Sequence, residues 1–241
     1  MKKLEDSQLE TFDAEYISDN CWEIVKEQIE KDFPDDDFTF LDIGGGNGKF
    51  ADRLLANYPK CRGTVLDNSE LLLNRNTCNH RKKIIFNSVE NLSSLNEKYD
   101  IVSFNWLLHH LVGNSYAQSR QNIDKTLQKA ISLLTERGRI SIFENMYNGL
   151  IFDGLPSYLI YNLTSLKSIS AFTSRMGANT AGVGVCFLSK NQWVSTFERN
   201  NLQTLNDSDA ENLFTISLTR RIFLHMDKVH KGHFWLTPLS Y

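Results

Sequence analysis

The chain has 241 residues, 41% of them hydrophobic and 23% charged, with a formal net charge of −3. That length buries a sizeable core without disulfide or metal staples, and the composition is that of an ordinary globular domain. A slightly acidic chain has no general electrostatic pull on nucleic acid, so DNA or RNA is disfavoured as a partner.

The four cysteines, Cys21, Cys61, Cys78 and Cys186, make no CxxC pair and no zinc-like cluster with histidine. They read as scattered reduced thiols, with a cytoplasmic setting and no metal site expected. The N-terminus, MKKLEDSQLE, begins basic but no apolar stretch follows, so no signal peptide is expected. No run of 18 apolar residues occurs, so neither a membrane span nor a membrane partner is expected.

In chain order, Trp22, Val25 and Ile29 fall at helical spacings and predict a helix over Tyr16–Lys31. Pro34 and the acid run Asp35-Asp36-Asp37 mark a solvated turn before a strand at Phe38–Ile43. A helix over Phe50–Asn57, a strand at Gly63–Leu66, a short helix at Ser69–Asn76 and a third strand at Lys83–Phe86 follow. Asp100–Phe104 predicts a fourth strand, Ile123–Leu134 a helix stopped near Gly138, and Arg139–Phe143 a fifth strand. This alternation implies right-handed βαβ units and a parallel sheet covered on both faces.

Residues 146–187 break the alternation. They hold helical stretches near Ser157–Leu166 and Ser168–Met176, then the small-residue run Gly177–Gly184. An insertion after the fifth strand sits above the carboxyl edge of the sheet, where open α/β sheets bind ligands, and is read as a substrate lid. Ser189 then caps a helix to Asn200 carrying the Trp193/Phe197 pair, and two closing strands are predicted near Leu202–Leu205 and Thr219–Met226. The expected architecture is a single α/β domain. It has a Rossmann-like, seven-stranded, mostly parallel sheet, helices on both faces and a helical lid insertion after the fifth strand. Its parts are an N-terminal helical segment (1–37), a cofactor-binding core (38–145), the lid (146–187) and a C-terminal helix with strands (188–241).

The chemistry concentrates in Asp42-Ile43-Gly44-Gly45-Gly46-Asn47-Gly48. Glycine lets the backbone turn tightly between strand and helix and still approach a ligand. The helix N-terminus beyond it favours an anionic group. Asp67 ends the next strand 19 residues after Gly48, where a carboxylate accepts two hydrogen bonds from a ribose diol. The spacing differs from the dinucleotide G-x-G-x-x-G/A, and Asp42 suits an ammonium rather than a pyrophosphate.

Residues 40–67, FLDIGGGNGKFADRLLANYPKCRGTVLD, resemble the cofactor half of class I S-adenosylmethionine methyltransferases. They are most similar to the small-molecule O-methyltransferases of the caffeate and hydroxyindole type, which share the D-x-G-G-G-x-G run, the Tyr58-Pro59 pair and the acid at Asp67. The resemblance implies S-adenosyl-L-methionine as cofactor. The backbone at Gly44, Gly45 and Gly46 would hold its methionine moiety, Asp67 its ribose, and Asn68, Ser88 and Val89 its adenine. Asp42, Asn105, Trp106 and His110 would border the same site, and Tyr16 would close over it.

Trp106-Leu107-Leu108-His109 matches the W-x-L-H segment in which those enzymes carry their base. His110 and Leu111 stand where the family has aspartate and tryptophan. Three roles for His109 follow: general base, wall of the cofactor pocket as in the many class I enzymes with an L-H-H-L stretch, or a purely structural residue. Glu144, at the end of the fifth strand, would orient the histidine. The family's long N-terminal dimerisation domain has no counterpart in the roughly 37 residues before the first strand. The acceptor pocket would therefore come from the N-terminal helix and the insertion, whose Tyr147, Phe152, Tyr158, Tyr161 and Phe172 suit a flat apolar acceptor. The basic C-terminal stretch, with Arg220, Arg221, His225, Lys228, His230, Lys231 and His233, could meet an acidic acceptor or RNA but is read as a solvated strand end. The expected activity is methyl transfer to a hydroxyl of a small, aromatic or natural-product acceptor. The rivals are N- or C-methylation and a non-catalytic cofactor-binding scaffold. Oligomeric state is left open.

Overall fold

A computed structural model describes residues 1, 2, 8, 17–175, 178–213 and 215–239. Seven strands form one sheet: β1 (Thr39–Ile43), β2 (Arg62–Asp67), β3 (Lys82–Phe86), β4 (Tyr99–Asn105), β5 (Leu134–Gly149), β6 (Leu202–Asn212) and β7 (Met226–Pro238). Their order is β3-β2-β1-β4-β5-β7-β6. The first five strands pair in parallel, and β7 runs antiparallel between β5 and β6.

The helices are α1 (Asp19–Asp32), α2 (Lys49–Asn57), α3 (Glu70–Leu73), α4 (Tyr116–Ser132), α5 (Leu155–Ser165), α6 (Ser170–Arg175), α7 (Lys190–Arg199) and α8 (Leu218–Phe223). The two faces of the sheet have separate cores. Trp22, Val25 and Ile29 of α1 and Leu54 and Leu55 of α2 pack on Phe40, Val65, Phe143 and Trp235. Ile123 and Leu127 of α4 and Trp193 and Phe197 of α7 pack on Leu41, Val102, Ile142 and Phe234. β1 and β4 sit mid-sheet with nearly every residue buried, as parallel strands covered on both faces require.

Four sequence expectations change. β5 runs through Gly149, well past Phe143, because it pairs with β7 from Ile140 to Gly149. α4 starts at Tyr116, where the Ser115 side chain accepts from the Gln118 N–H. Residues 219–225 form no strand: most belong to α8, and β7 begins only at Met226. Nor is the C-terminus a solvated strand end, since His230 and His233 are buried in β7. No described helix is long and apolar enough to cross a membrane.

Candidate functional site

The carboxyl ends of β1, β2 and β4 open onto a cleft of about 880 Å³. Its floor is the glycine turn. Gly44 and Gly48 both have φ near +75°, conformations that suit glycine. A β-carbon on Gly44 would stand 2.9 Å from the Leu107 side chain, and one on Gly48 would collide with Asn76 Oδ1 at 1.8 Å. Asp42 lies on β1 rather than in the turn, fully buried, and its Oδ1 accepts from Ser103 Oγ at 3.0 Å and Asn105 Nδ2 at 3.2 Å. Burial pushes its carboxyl up to about 7, against the opposing effect of those hydrogen bonds. Asp42 Oδ2 and Asn105 Oδ1 are buried with no hydrogen-bond partner in the protein. Two acceptors without donors, in residues that both line the cleft, fit a ligand group that only donates, such as an ammonium.

Asp67 receives Gly46 N–H at 3.0 Å and Ser69 N–H at 2.8 Å, one on each oxygen. Each oxygen keeps a further lone pair for a ligand hydroxyl. Burial raises its pKa above the ordinary aspartate value while these N–H groups oppose the shift. Asn68, Ser88 and Val89 border the cleft beside it.

At the end of β4 the backbone of Trp106 takes φ +53°, an uncommon conformation for a side chain of that size. It is held there by Trp106 N–H to Phe143 O at 2.9 Å, by indole Nε1–H to Asn145 Oδ1 at 3.1 Å, and by stacking on Phe143 at 5.5 Å. The chain then turns into a short 3-10 helix, Leu108–His110. His109 Nδ1 lies 2.5 Å from Glu144 Oε2. Glu144 Oε1 accepts from the Leu108 and His109 N–H groups at 2.8 and 3.3 Å. With Glu144 as the accepting partner, Nδ1 is the donating ring nitrogen, and Nε2 is the nitrogen left for another contact. The ring packs on Phe187 at 4.7 Å and on His110 at 4.1 Å, and Cys186 N–H caps the His109 carbonyl at 2.9 Å. Burial, and then the neighbouring His109, hold His110 well below the ordinary histidine value, so its ring is neutral.

Asp42, Gly44, Gly45, Gly46, Asp67, Asn68, Ser88, Val89, Asn105, Trp106, His109 and His110 therefore all line one cleft, with Glu144 buried behind His109. Tyr16 lies outside the described residues. The insertion's aromatic residues are placed differently from the expectation. Tyr161 is buried under α4, its hydroxyl donating to Gly113 O at 3.1 Å, and Tyr147 stacks on Phe187 at 4.4 Å. Phe152 and Tyr158 are exposed, none of these four lines the cleft, and the Phe172 side chain lies outside what is described. The cleft lining instead takes in Asn145, Val183, Gly184, Leu213 and Lys231, besides Met1, Lys2 and Ile17 from the N-terminal segment. Sequence reading did not bring the first five together because they come from four separate segments and belong to no motif. Among the described residues no group of three or more histidines, cysteines or acids is arranged to hold a metal.

Residues 41–140 match a family model described as a methyltransferase domain. No curated protein matches the chain by sequence. Among solved structures, the chain is similar to the plantazolicin methyltransferase BpumL, solved with a desmethyl-plantazolicin analogue and SAH, at 15% identity and TM-score 0.62. That alignment covers 98% of this chain and 90% of BpumL. It is also similar to the [4+2]-cyclase SpnF, at 10% identity and TM-score 0.60, covering 95% and 86% of the two chains. CalO1, a methyltransferase in calicheamicin biosynthesis solved with SAH, matches at 16% identity and TM-score 0.50 over 90% of this chain. The chain spans 55% of the length of CalO1. The family match is confined to residues 41–140, and the whole described chain shares the Rossmann-like fold of these solved structures. Because the same fold serves a cyclase, the reaction is argued from the site.

Proposed function

We propose that this protein is a methyltransferase that uses S-adenosylmethionine to methylate a hydroxyl of a small, aromatic or natural-product acceptor. The observation that carries the reading is the His109–Glu144 pair, set in the wall of the glycine-floored cleft. The turn backbone at Gly44–Gly46 would hold the methionine moiety, with Asp42 and Asn105 receiving its ammonium. Asp67 would hold the ribose hydroxyls, and Asn68, Ser88 and Val89 would border the adenine. When bound, the cofactor supplies an electrophilic methyl group on a sulfonium sulfur. His109 Nε2 removes the acceptor's hydroxyl proton, and the buried Glu144 carboxylate stabilises the imidazolium that forms. For a phenol of pKa about 10 such a base contributes on the order of 10²–10⁴-fold at neutral pH. The insertion after β5 and the β6–β7 connection, which supply Val183, Gly184 and Leu213, would cover the acceptor end of the cleft and act as its lid.

The test has two arms. Calorimetry with S-adenosylhomocysteine should show binding that Asp67→Ala abolishes. With a panel of phenols as probes, His109→Ala should keep that binding and lose methyl ether formation by about 10²-fold or more. Wild-type turnover in His109→Ala, or methylation only of amines, would overturn the base assignment. Absence of any S-adenosylhomocysteine binding would overturn the cofactor.

A further inference from the structure

Among the described residues, nine of the thirteen exposed large hydrophobic side chains lie on two connections above the carboxyl edge of the sheet: three at the turn 150–152, three on α5 and its C-cap, and three on α8. Ile151 is 79% exposed and Phe223 76%, and Phe152, Leu218 and Ile222 also project well into solvent. The turn and α8 meet at His225. Its ring nitrogen accepts from the N–H groups of Ile151 and Phe152 at 2.9 and 3.1 Å, and its carbonyl from that of Leu150 at 3.0 Å. Exposed apolar side chains gathered in this number on one edge of the sheet mark an interaction site rather than ordinary surface scatter.

Its charge is equally uneven. Residues 146–187 and 213–225 carry four cations, Lys167, Arg175, Arg220 and Arg221, and a single acid, Asp153, in a chain whose formal net charge is −3. Asp153 is engaged locally, receiving the Ser189 hydroxyl, and Arg221 pairs with Asp227 at 2.7 Å, which leaves Lys167, Arg175 and Arg220 as the excess positive charge. The face is thus apolar and cationic. A second copy of the chain is a poor occupant, because a two-fold contact would set the cationic face on itself. Side chains that project singly need a partner that yields around them, and cationic neighbours need an anionic one. An interfacial lipid layer meets both requirements.

We propose that this face docks on an anionic lipid bilayer. The same two connections supply Val183, Gly184 and Leu213 to the lining of the cleft, so docking would set the acceptor end against the lipid. If the methyltransferase reading holds, the acceptor is then a lipophilic compound taken from the bilayer. The contact is peripheral and needs no spanning segment.

The full chain is sedimented with phosphatidylcholine vesicles, with and without phosphatidylglycerol, at low and high salt. Binding is expected to the phosphatidylglycerol vesicles, and to weaken as salt screens the cationic residues. Ile222→Glu/Phe223→Glu and Ile151→Glu/Phe152→Glu should each lower it by about tenfold or more, with S-adenosylhomocysteine affinity unchanged as the control for folding. The proposal is overturned if neither vesicle binds, if both variants bind like the parent chain, or if the parent forms a concentration-dependent dimer that the variants abolish. Vesicle binding without S-adenosylhomocysteine binding would uphold the docking face and sink the cofactor reading alone; the converse would do the reverse.

Discussion

Glu144 receives two backbone N–H groups and one ring nitrogen, and each of those contacts bears on which way the His109 lone pair faces. Glutamine at this position has nearly the same shape but can donate, so it permits the tautomer in which Nδ1 accepts and Nε2 carries the hydrogen. Glu144→Gln should therefore lower turnover by about 10²-fold while leaving S-adenosylhomocysteine affinity within a small factor, a split that a general loss of structure would not give. Phe187 packs against the face of the same ring, and Phe187→Ala should lower turnover in the same direction, with Phe187→Leu restoring part of it. Asp42 supplies a pH signature. Its folded pKa, raised from 3.8 to about 7, means the native protein holds a proton that the unfolded chain has released between those values. Its contribution to stability is therefore fully present below 3.8 and is lost as pH rises through about 7. His233 works in the opposite sense. Burial lowers it to about 3, so its contribution is present above 6.5 and is lost as pH falls through 3. Comparing thermal melts of the parent and Asp42→Asn across pH 4–7 isolates the first effect. If Asp42 receives the cofactor's ammonium, S-adenosylhomocysteine binding below pH 7 should release a proton, seen as buffer-dependent heats in calorimetry.

Helix α7 shows how far local sequence carries. Ser189 accepts from Gln192 N–H at 3.1 Å while the Gln192 side chain accepts from Ser189 N–H at 3.2 Å, a complete capping box. Ser189→Ala should cost about 1 kcal/mol, measured by urea unfolding. The cap, the Trp193/Phe197 pair and the glycine turn were legible because each depends on residues within one turn or one strand–helix junction. Other features depended on distant partners. The length of β5 is set by Met226–Leu236 across the sheet, which no feature of residues 144–149 announces. The first turns of α4, rich in glutamine and asparagine, carry no apolar period, so only the Ser115 cap marks their start. α8 contains Ile222 and Phe223, residues that favour strands in isolation. The acceptor end was the least legible part, since Asn145, Val183, Leu213 and Lys231 meet only when β5, the insertion, β6 and β7 are all in place.

At the scale of the molecule, the cofactor half is built early and from consecutive pieces, whereas the acceptor half is assembled from separated ones. β7 lies inside the sheet, between β5 and β6, although it follows both in the sequence. It brings Phe234 to one core and Trp235 to the other. A chain stopped before Met226 should therefore show no cooperative thermal transition by circular dichroism, in contrast to the parent chain. There is a consequence for synthesis on the ribosome. The chain emerges from its N-terminal end, so β5 exists for many seconds as a long, apolar, unpaired margin before its neighbour has been made. β6 cannot join the sheet during that interval because the strand it pairs with is β7. The nascent chain is thus sticky late in translation, and the slow phase of its biogenesis should be the insertion of β7 rather than formation of the glycine turn.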